Sequence, residues 1–343
     1  VSMFTLYQQG SGYNEAAYRH VIFGYLFSNR RPRRKNHRLA QIHADWNKNA
    51  ESTEIPQKTQ RITRGWIVTF SERLMELITS KHNAKVRLAR SLLRPKGRRE
   101  HGLFLVEGLR HVGAALEANA DVQFLLWSPE RLTSDFGKRV VEGARAAKIP
   151  LWAVSAEVLD AVSPREHSQG LIAVVRPHHY SLADLSPERH RLVVAVVAPQ
   201  TPGNVGTILR TIDAVGAHAL VLLNGGADPY SPAAVRASMG ALFWVPLVQA
   251  AWSEFARWAR RRGYSVVGTS ARGDADYRTA EYNCPTVLLL GNERRGLDDE
   301  QRTACDLLVR IPMGGHGTSL NLAVAAGVML YEMRHRCLTL GEA

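Results

Sequence analysis

Leu288-Leu289-Leu290-Gly291-Asn292-Glu293 and Ile311-Pro312-Met313-Gly314-Gly315-His316-Gly317-Thr318-Ser319-Leu320-Asn321 decide the fold of this chain. Each begins as an apolar strand and breaks into glycine and polar residues where a strand would end. In open α/β sheets, ligands bind just outside the carboxyl ends of the strands. The second stretch runs on into an apolar helix over 322–336, with Ser319 and Asn321 near its start. A glycine-rich passage between strand and helix lets backbone approach a ligand and leaves N–H groups free to bind it. A carboxylate (Glu293), a hydroxyl (Ser319) and an amide (Asn321) are therefore expected to converge on one small site.

A third stretch repeats the theme. Pro199-Gln200-Thr201-Pro202-Gly203-Asn204-Val205-Gly206-Thr207-Ile208-Leu209-Arg210 follows the apolar strand 192–197 and opens a helix. Asn204 falls near the helix N-terminus, where its side chain can cap. Arg210 follows less than two turns on, so the two do not share one face. Arg210 lies between Leu209 and Ile212 on a helix with a buried pattern. A guanidinium in such a place needs an anion, either Glu293 or a phosphate of a ligand. A purely structural Arg210–Glu293 pair is the competing interpretation.

Several chemistries are disfavoured. Gly203-Asn204-Val205-Gly206 has the wrong spacing for a dinucleotide fingerprint, and the P-loop lysine is missing. No GxSxG elbow surrounds Ser319, which argues against an acyl-transfer nucleophile. His316 and the pair His178-His179 lack a third ligand at a metal-binding spacing and read as loop histidines, so no metal is expected.

Outward from these motifs, strands and helices alternate in two blocks. The C-terminal block, 191–337, has continuously apolar strands over 192–197, 219–223, 245–248, 265–269, 287–290 and 307–311, as a parallel sheet buried on both faces requires. Helices are expected over 205–215, 232–239 and 254–262. The preceding block, 71–176, suits a small three-layer α/β domain, with strands over 103–106, 122–127, 151–154 and 171–175. It opens with a helix capped by Ser80 that carries Lys81, Lys85, Arg87, Arg90 and Arg94, followed closely by Lys96, Arg98 and Arg99. Residues 177–190, rich in His, Ser and Pro, read as a linker. Residues 1–70, with the run Arg30-Arg31-Pro32-Arg33-Arg34-Lys35, read as a basic, disordered extension that either binds RNA electrostatically or has little role.

The 343 residues carry a net charge of +13, which points to a polyanionic partner, nucleic acid first and anionic membrane second. There is no run of about 18 apolar residues, so no membrane span is expected. Cys284, Cys305 and Cys337 contain no CxxC pair, which argues against a disulfide framework and suits a reducing cytoplasm.

Taken in order, Asn204 with Arg210, Gly291-Asn292-Glu293, and Ile311-Pro312-Met313 with Ser319-Leu320-Asn321 resemble the three signature motifs of the SpoU (TrmH-like) branch of the SPOUT RNA methyltransferases. Arg236-Ala237-Ser238-Met239-Gly240 resembles a further element of that branch. The block containing Phe104-Leu105-Val106-Glu107-Gly108 resembles the family's small RNA-binding domain, which is similar to ribosomal protein L30e. Within the branch the chain is most similar to 23S rRNA ribose methyltransferases of the avilamycin-resistance type.

The resemblance implies a trefoil-knotted C-terminal domain and an S-adenosylmethionine-dependent 2′-O-ribose methyltransferase acting on RNA, 23S rRNA above all. It also implies a homodimer formed through that domain. It assigns Gly291, Ile311 and Leu320 to the cofactor and Arg210, Asn204, Glu293, Ser319 and Asn321 to catalysis, with Glu293 orienting Arg210. In the family the arginine matching Arg210 is assigned as base. The alternative keeps it charged, holding a phosphate and stabilising developing alkoxide. A tRNA enzyme of the same branch and an inactive RNA-binding protein of this fold are the competing functions.

Overall fold

The computed structural model describes residues 77–163 and 168–337. The basic extension expected over 1–70 lies outside the described residues.

The first block forms a four-stranded sheet from β1 (Phe104–Glu107), β2 (Asp121–Trp127), β3 (Leu151–Ala153) and β4 (Leu171–Arg176), in the order β1-β4-β2-β3. β4 is antiparallel to both neighbours, and β2 and β3 are parallel. Helices α1 (Ala84–Ser91), α2 (Pro95–His101), α3 (Leu109–Glu117), α4 (Asp135–Ala146) and α5 (Ala156–Asp160) complete it. Leu105, Leu126, Ile172 and Val174 pack with Val86, Ala89 and Val158 of α1 and α5. Leu125, Leu171 and Ala173 on the other face pack with Val112 and Ala115 of α3 and Val140 and Ala144 of α4. Three layers result.

The basic helix expected from Ser80 is capped three residues later, and a second short helix that was not expected follows it and carries Lys96, Arg98 and Arg99. Asn83 caps the first, its side chain accepting from Lys85 N at 2.9 Å. Pro95 stops that helix and starts α2 at N1, where a missing N–H costs nothing. The break turns Arg98 inward, as described below.

The second block is a parallel sheet of β5 (Leu192–Val197), β6 (Ala219–Leu223), β7 (Leu247–Ala250), β8 (Ser265–Thr269), β9 (Ala275–Asp276), β10 (Thr286–Leu290) and β11 (Leu307–Arg310), in the order β7-β6-β5-β10-β8-β11-β9. β9 was not expected; two residues are too short to show a period. Helices α6 (Pro202–Val215), α7 (Pro232–Ala237), α8 (Trp252–Arg262), α9 (Asp299–Thr303) and α10 (Leu322–Cys337) pack around it. β5, β6 and β10 are buried at every residue. Alternation along β5 sorts the two faces. Val194 and Val196 join Ile208 of α6 and Met329 of α10, whereas Val193 and Ala195 join Phe255 and Trp258 of α8.

Residues 177–190 do more than link. Tyr180 bridges to Val248 at the edge of β7, a 3-10 turn runs over Leu182–Asp184, and Leu182 and Leu185 are buried in the α8-side core. The expectation that the cysteines stay apart is also corrected. Cys284, just before β10, and Cys337, at the end of α10, form a disulfide with Cα atoms 5.7 Å apart. Spacing rules see only near neighbours, and these two are 53 residues apart and meet because α10 packs back along the sheet. Cys305 is free, and burial pushes its thiol up to about 12.

The two blocks share a core. Phe104 of β1 sits 5.0 Å from the Tyr230 ring and 6.3 Å from the Phe243 ring, centroid to centroid. Arg98, expected as a phosphate contact, is instead buried between the blocks: its Nε and its Nη2 both reach Asp228 Oδ2 at 2.7 Å, and its Nη1 donates to Leu92 O at 2.7 Å. Lys81, Lys85, Arg87, Arg90, Arg94, Lys96 and Arg99 remain exposed.

Candidate functional site

Parallel pairing sets the site. β10 lies beside β5 with Leu290 opposite Val196, so the loops after both strands leave the same edge together. Gly291 begins the β10 loop. A Cβ there would lie 2.4 Å from the carbonyl carbon of Gly296, so only glycine allows the chain to fold back on itself. Asn292 closes that turn: its N–H donates to Gly296 O at 3.1 Å and its Oδ1 accepts from Arg294 N at 3.0 Å. Its Nδ2 donates to Ala198 O at 2.8 Å, pinning the β5 loop to the β10 loop. Asn292 is thus a structural member of the motif, and its place just after a strand-ending glycine is the sequence signal for that role.

Glu293 then reaches the start of α6. Its carboxylate accepts from Gln200 N at 2.9 Å, from Thr201 N at 3.3 Å and from Asn204 Nδ2 at 3.2 Å. Thr201, the α6 N-cap, makes no side-chain cap bond, so a carboxylate from another strand satisfies the backbone donors at this entrance. The helix begins at Pro202 rather than Val205, because proline suits N1, and Asn204 therefore sits inside the first turn. Its Oδ1 accepts from Asn321 Nδ2 at 3.2 Å. Asn321 in turn caps α10, its Oδ1 accepting from Ala323 N at 2.9 Å. One hydrogen-bonded line, Glu293–Asn204–Asn321, thus joins the three sequence motifs.

Arg210 departs from expectation. It is exposed, and its side chain makes no ion pair or hydrogen bond with any described residue, Glu293 included. The apolar neighbours Leu209 and Ile212 are buried on the other side of the helix, which the pattern mistook for burial all round. A structural Arg210–Glu293 pair is thereby absent, and Glu293 is bonded to the α6 entrance rather than to Arg210. Ser319 is exposed in the loop before α10 and is not bonded to Asn204, Glu293 or Asn321.

Residues 312–320 are all exposed, and residues 311–320 make no backbone–backbone hydrogen bond with a described residue. Met313 and Leu320 are 40% and 37% exposed, and Ile311 is half-buried at the strand end. Free N–H and C=O groups beside exposed apolar side chains fit a nucleoside carrying both a polar edge and an apolar face. Among the described residues no group of three metal-ligating side chains lies together.

The model of the SpoU rRNA Methylase family matches residues 191–331, and that of the MRM3-like substrate binding domain matches residues 83–173. A 23S rRNA (uridine(2479)-2'-O)-methyltransferase of Streptomyces viridochromogenes is 36% identical over 74% of this chain and 90% of its own length. The chain belongs to the SpoU rRNA methylase family. Its C-terminal domain is of the knotted SPOUT type, and the chain is an S-adenosylmethionine-dependent RNA ribose 2′-O-methyltransferase.

Two solved structures are similar over about three quarters of the chain. The S-adenosylmethionine-bound rRNA methyltransferase of Sinorhizobium meliloti is 35% identical, with a TM-score of 0.69 over 76% of this chain and 98% of that one. The SpoU methyltransferase AviRb of Streptomyces viridochromogenes, in complex with S-adenosylmethionine, is 35% identical, with a TM-score of 0.66 over 74% and 98%.

Proposed function

We propose that this enzyme methylates 23S rRNA. Two relatives support that substrate: the uridine(2479) enzyme and the 23S rRNA (guanosine(2553)-2'-O)-methyltransferase RlmP of Bacillus subtilis, 31% identical over 76% of this chain and 100% of its own length. The small domain, 71–176, holds the RNA as an L30e-like module through the exposed cations of α1 and α2. The methyltransferase domain, 191–337, does the chemistry, with 177–190 connecting the two.

The carrying observation is the Glu293–Asn204–Asn321 line beside an uncommitted Arg210. S-adenosylmethionine, held by Gly291, Ile311 and Leu320, supplies the methyl group. A ribose hydroxyl is a weak nucleophile, so the protein's task is alignment and stabilisation of developing negative charge. Arg210, free of any carboxylate, holds the target phosphate and faces the developing alkoxide, while the hydroxyl proton leaves to water. A guanidinium that carries its charge throughout suits this better than the role of base. Glu293 acts on Asn204 and the α6 entrance, and Asn204, Asn321 and Ser319 position the ribose.

The working unit is a homodimer. Val324 and Tyr331, 52% and 53% exposed and two turns apart on α10, form an apolar strip beside the site that a second copy covers. No helix among the described residues is long and apolar enough to cross a membrane.

The test is methylation of a 23S rRNA transcript with labelled S-adenosylmethionine, followed by mapping of the modified ribose. A single 2′-O-methyl site is expected. Modification of tRNA but not of 23S rRNA would replace the substrate, and absence of methylation with RNA still bound would make this an inactive binder.

A further inference from the structure

The segment after α7 presents a feature that the methyl-transfer site leaves unused. Trp244 is 54% exposed and Met239 is 45% exposed, only five positions apart. Met239 takes a left-handed backbone, φ 52°, and Gly240 follows at φ 99°. Such a turn is uncommon for a residue with a side chain. Ser238, Ala241 and Leu242 around it are buried, so the exposed pair stands on a fixed base.

That base is clamped from both domains. On the catalytic side, Gly206 of α6 approaches so closely that a Cβ would lie 2.2 Å from Ala234 O and 2.9 Å from Ser238 N. On the small-domain side, a Cβ on Gly240 would lie 2.8 Å from Ala114 Cβ of α3, and His111 Nε2 lies 3.3 Å from Arg236 O. Arg210 is one helical turn beyond Gly206 on α6. Arg210 and Arg236 are both exposed and make no ion pair with a described residue. Short turns carry the chain from Arg236 to Met239 and on through Ala241 to Trp244, so an exposed aromatic ring, an exposed thioether and an exposed guanidinium stand on one compact segment that packs against both domains.

We infer that Trp244, with Met239 beside it, is a stacking platform for one unpaired RNA base, and that Arg236 takes an adjoining phosphate. Every base has a π-face, so an aromatic ring recognises base rather than backbone, while arginine recognises the charge that all nucleotides share. The inference deepens the RNA methyl-transfer reading and rests on it. It makes Trp244 a positioning residue, which splays the strand and fixes the register of the nucleotide delivered to Arg210.

The probes are a fluorescent twelve-residue oligouridylate and an abasic strand of equal phosphate count, titrated against the full chain. Wild type is expected to prefer the base-bearing strand, and Trp244→Ala to lose roughly tenfold in affinity for it with no change for the abasic strand. Trp244→Phe, which keeps a ring, should retain the preference; Arg236→Gln should weaken both strands equally and flatten the salt dependence. Calorimetry of S-adenosylmethionine binding and sedimentation accompany each variant. A Trp244→Ala protein that still discriminates the two strands overturns the platform. Dissociation of a dimer by Trp244→Ala also overturns it, by assigning the patch to a second copy. Because strand discrimination needs no turnover, a failure of methyl transfer is separable from a failure of stacking.

Discussion

Glu293 is hydrogen-bonded to Asn204, not to Arg210. Its Oε1 accepts from Asn204 Nδ2 at 3.2 Å, and the same carboxylate takes the Gln200 and Thr201 N–H groups, leaving the guanidinium of Arg210 free at the surface. The acidic residue of the second motif is thus an architectural acceptor for the first motif's loop.

Removing that acceptor should unsettle the α6 entrance. Glu293→Ala leaves two backbone donors and the Asn204 amide without their partner, for an expected loss of about 1–2 kcal/mol in urea denaturation, together with loss of methyl transfer. Glu293→Gln keeps one acceptor oxygen and should lose less stability. A Glu293→Ala protein as stable as wild type would sink the account.

Arg210→Ala should behave in the opposite way. An exposed side chain with no bonded partner contributes little to folding, so stability should change by less than about 0.5 kcal/mol. Single-turnover methylation should fall roughly 10²–10³-fold, with S-adenosylmethionine binding unchanged. Arg210→Lys keeps charge but not the planar fork, and near-normal activity in it would favour simple charge stabilisation over fork-specific contacts. Normal methylation by Arg210→Ala would remove Arg210 from the site.

The basic cluster should split into two kinds of residue. Asp228→Ala strands the buried Arg98 charge, whose side chain is 6% exposed, and is expected to destabilise the protein by about 3–5 kcal/mol. Lys96→Glu and Arg99→Glu should leave stability within about 0.5 kcal/mol while weakening RNA binding and reducing its salt slope. Equal effects of Asp228→Ala and Lys96→Glu on both readouts would contradict the division.

Acid should weaken the edge where β5 begins. Burial, above all, lowers the pKa of His218 from its ordinary 6.5, and its Nδ1 accepts the Leu192 N–H at 3.2 Å, which requires a neutral ring. The unfolded chain therefore binds the proton more readily than the folded one. The stabilisation is present above about pH 6.5 and is lost as the pH falls below that toward the lowered folded value. Denaturation midpoints between pH 7.5 and 5 should show this slope, and His218→Asn should flatten it. An unchanged slope in that variant would assign the acid sensitivity elsewhere.

Fully buried strands such as 192–197 and 219–223 were legible in the amino-acid sequence because their apolar runs need no partner to be recognised, and the three site motifs because glycine and polar residues interrupt those runs at strand ends. Local rules reach only a few residues along the chain. What a side chain meets across the sheet was decided by tertiary structure alone. Arg98 looked like its exposed neighbours until α2 turned it onto Asp228, Arg210 looked buried until α6 showed which face met the core, and Cys284 and Cys337 gave no spacing signal across the 53 residues between them. Each depends on which helix face or loop arrives beside it. That is set by the parallel strand order and by the close approach at glycines such as Gly206, Gly240 and Gly291, where backbone or a methyl group occupies the room that a side chain would need.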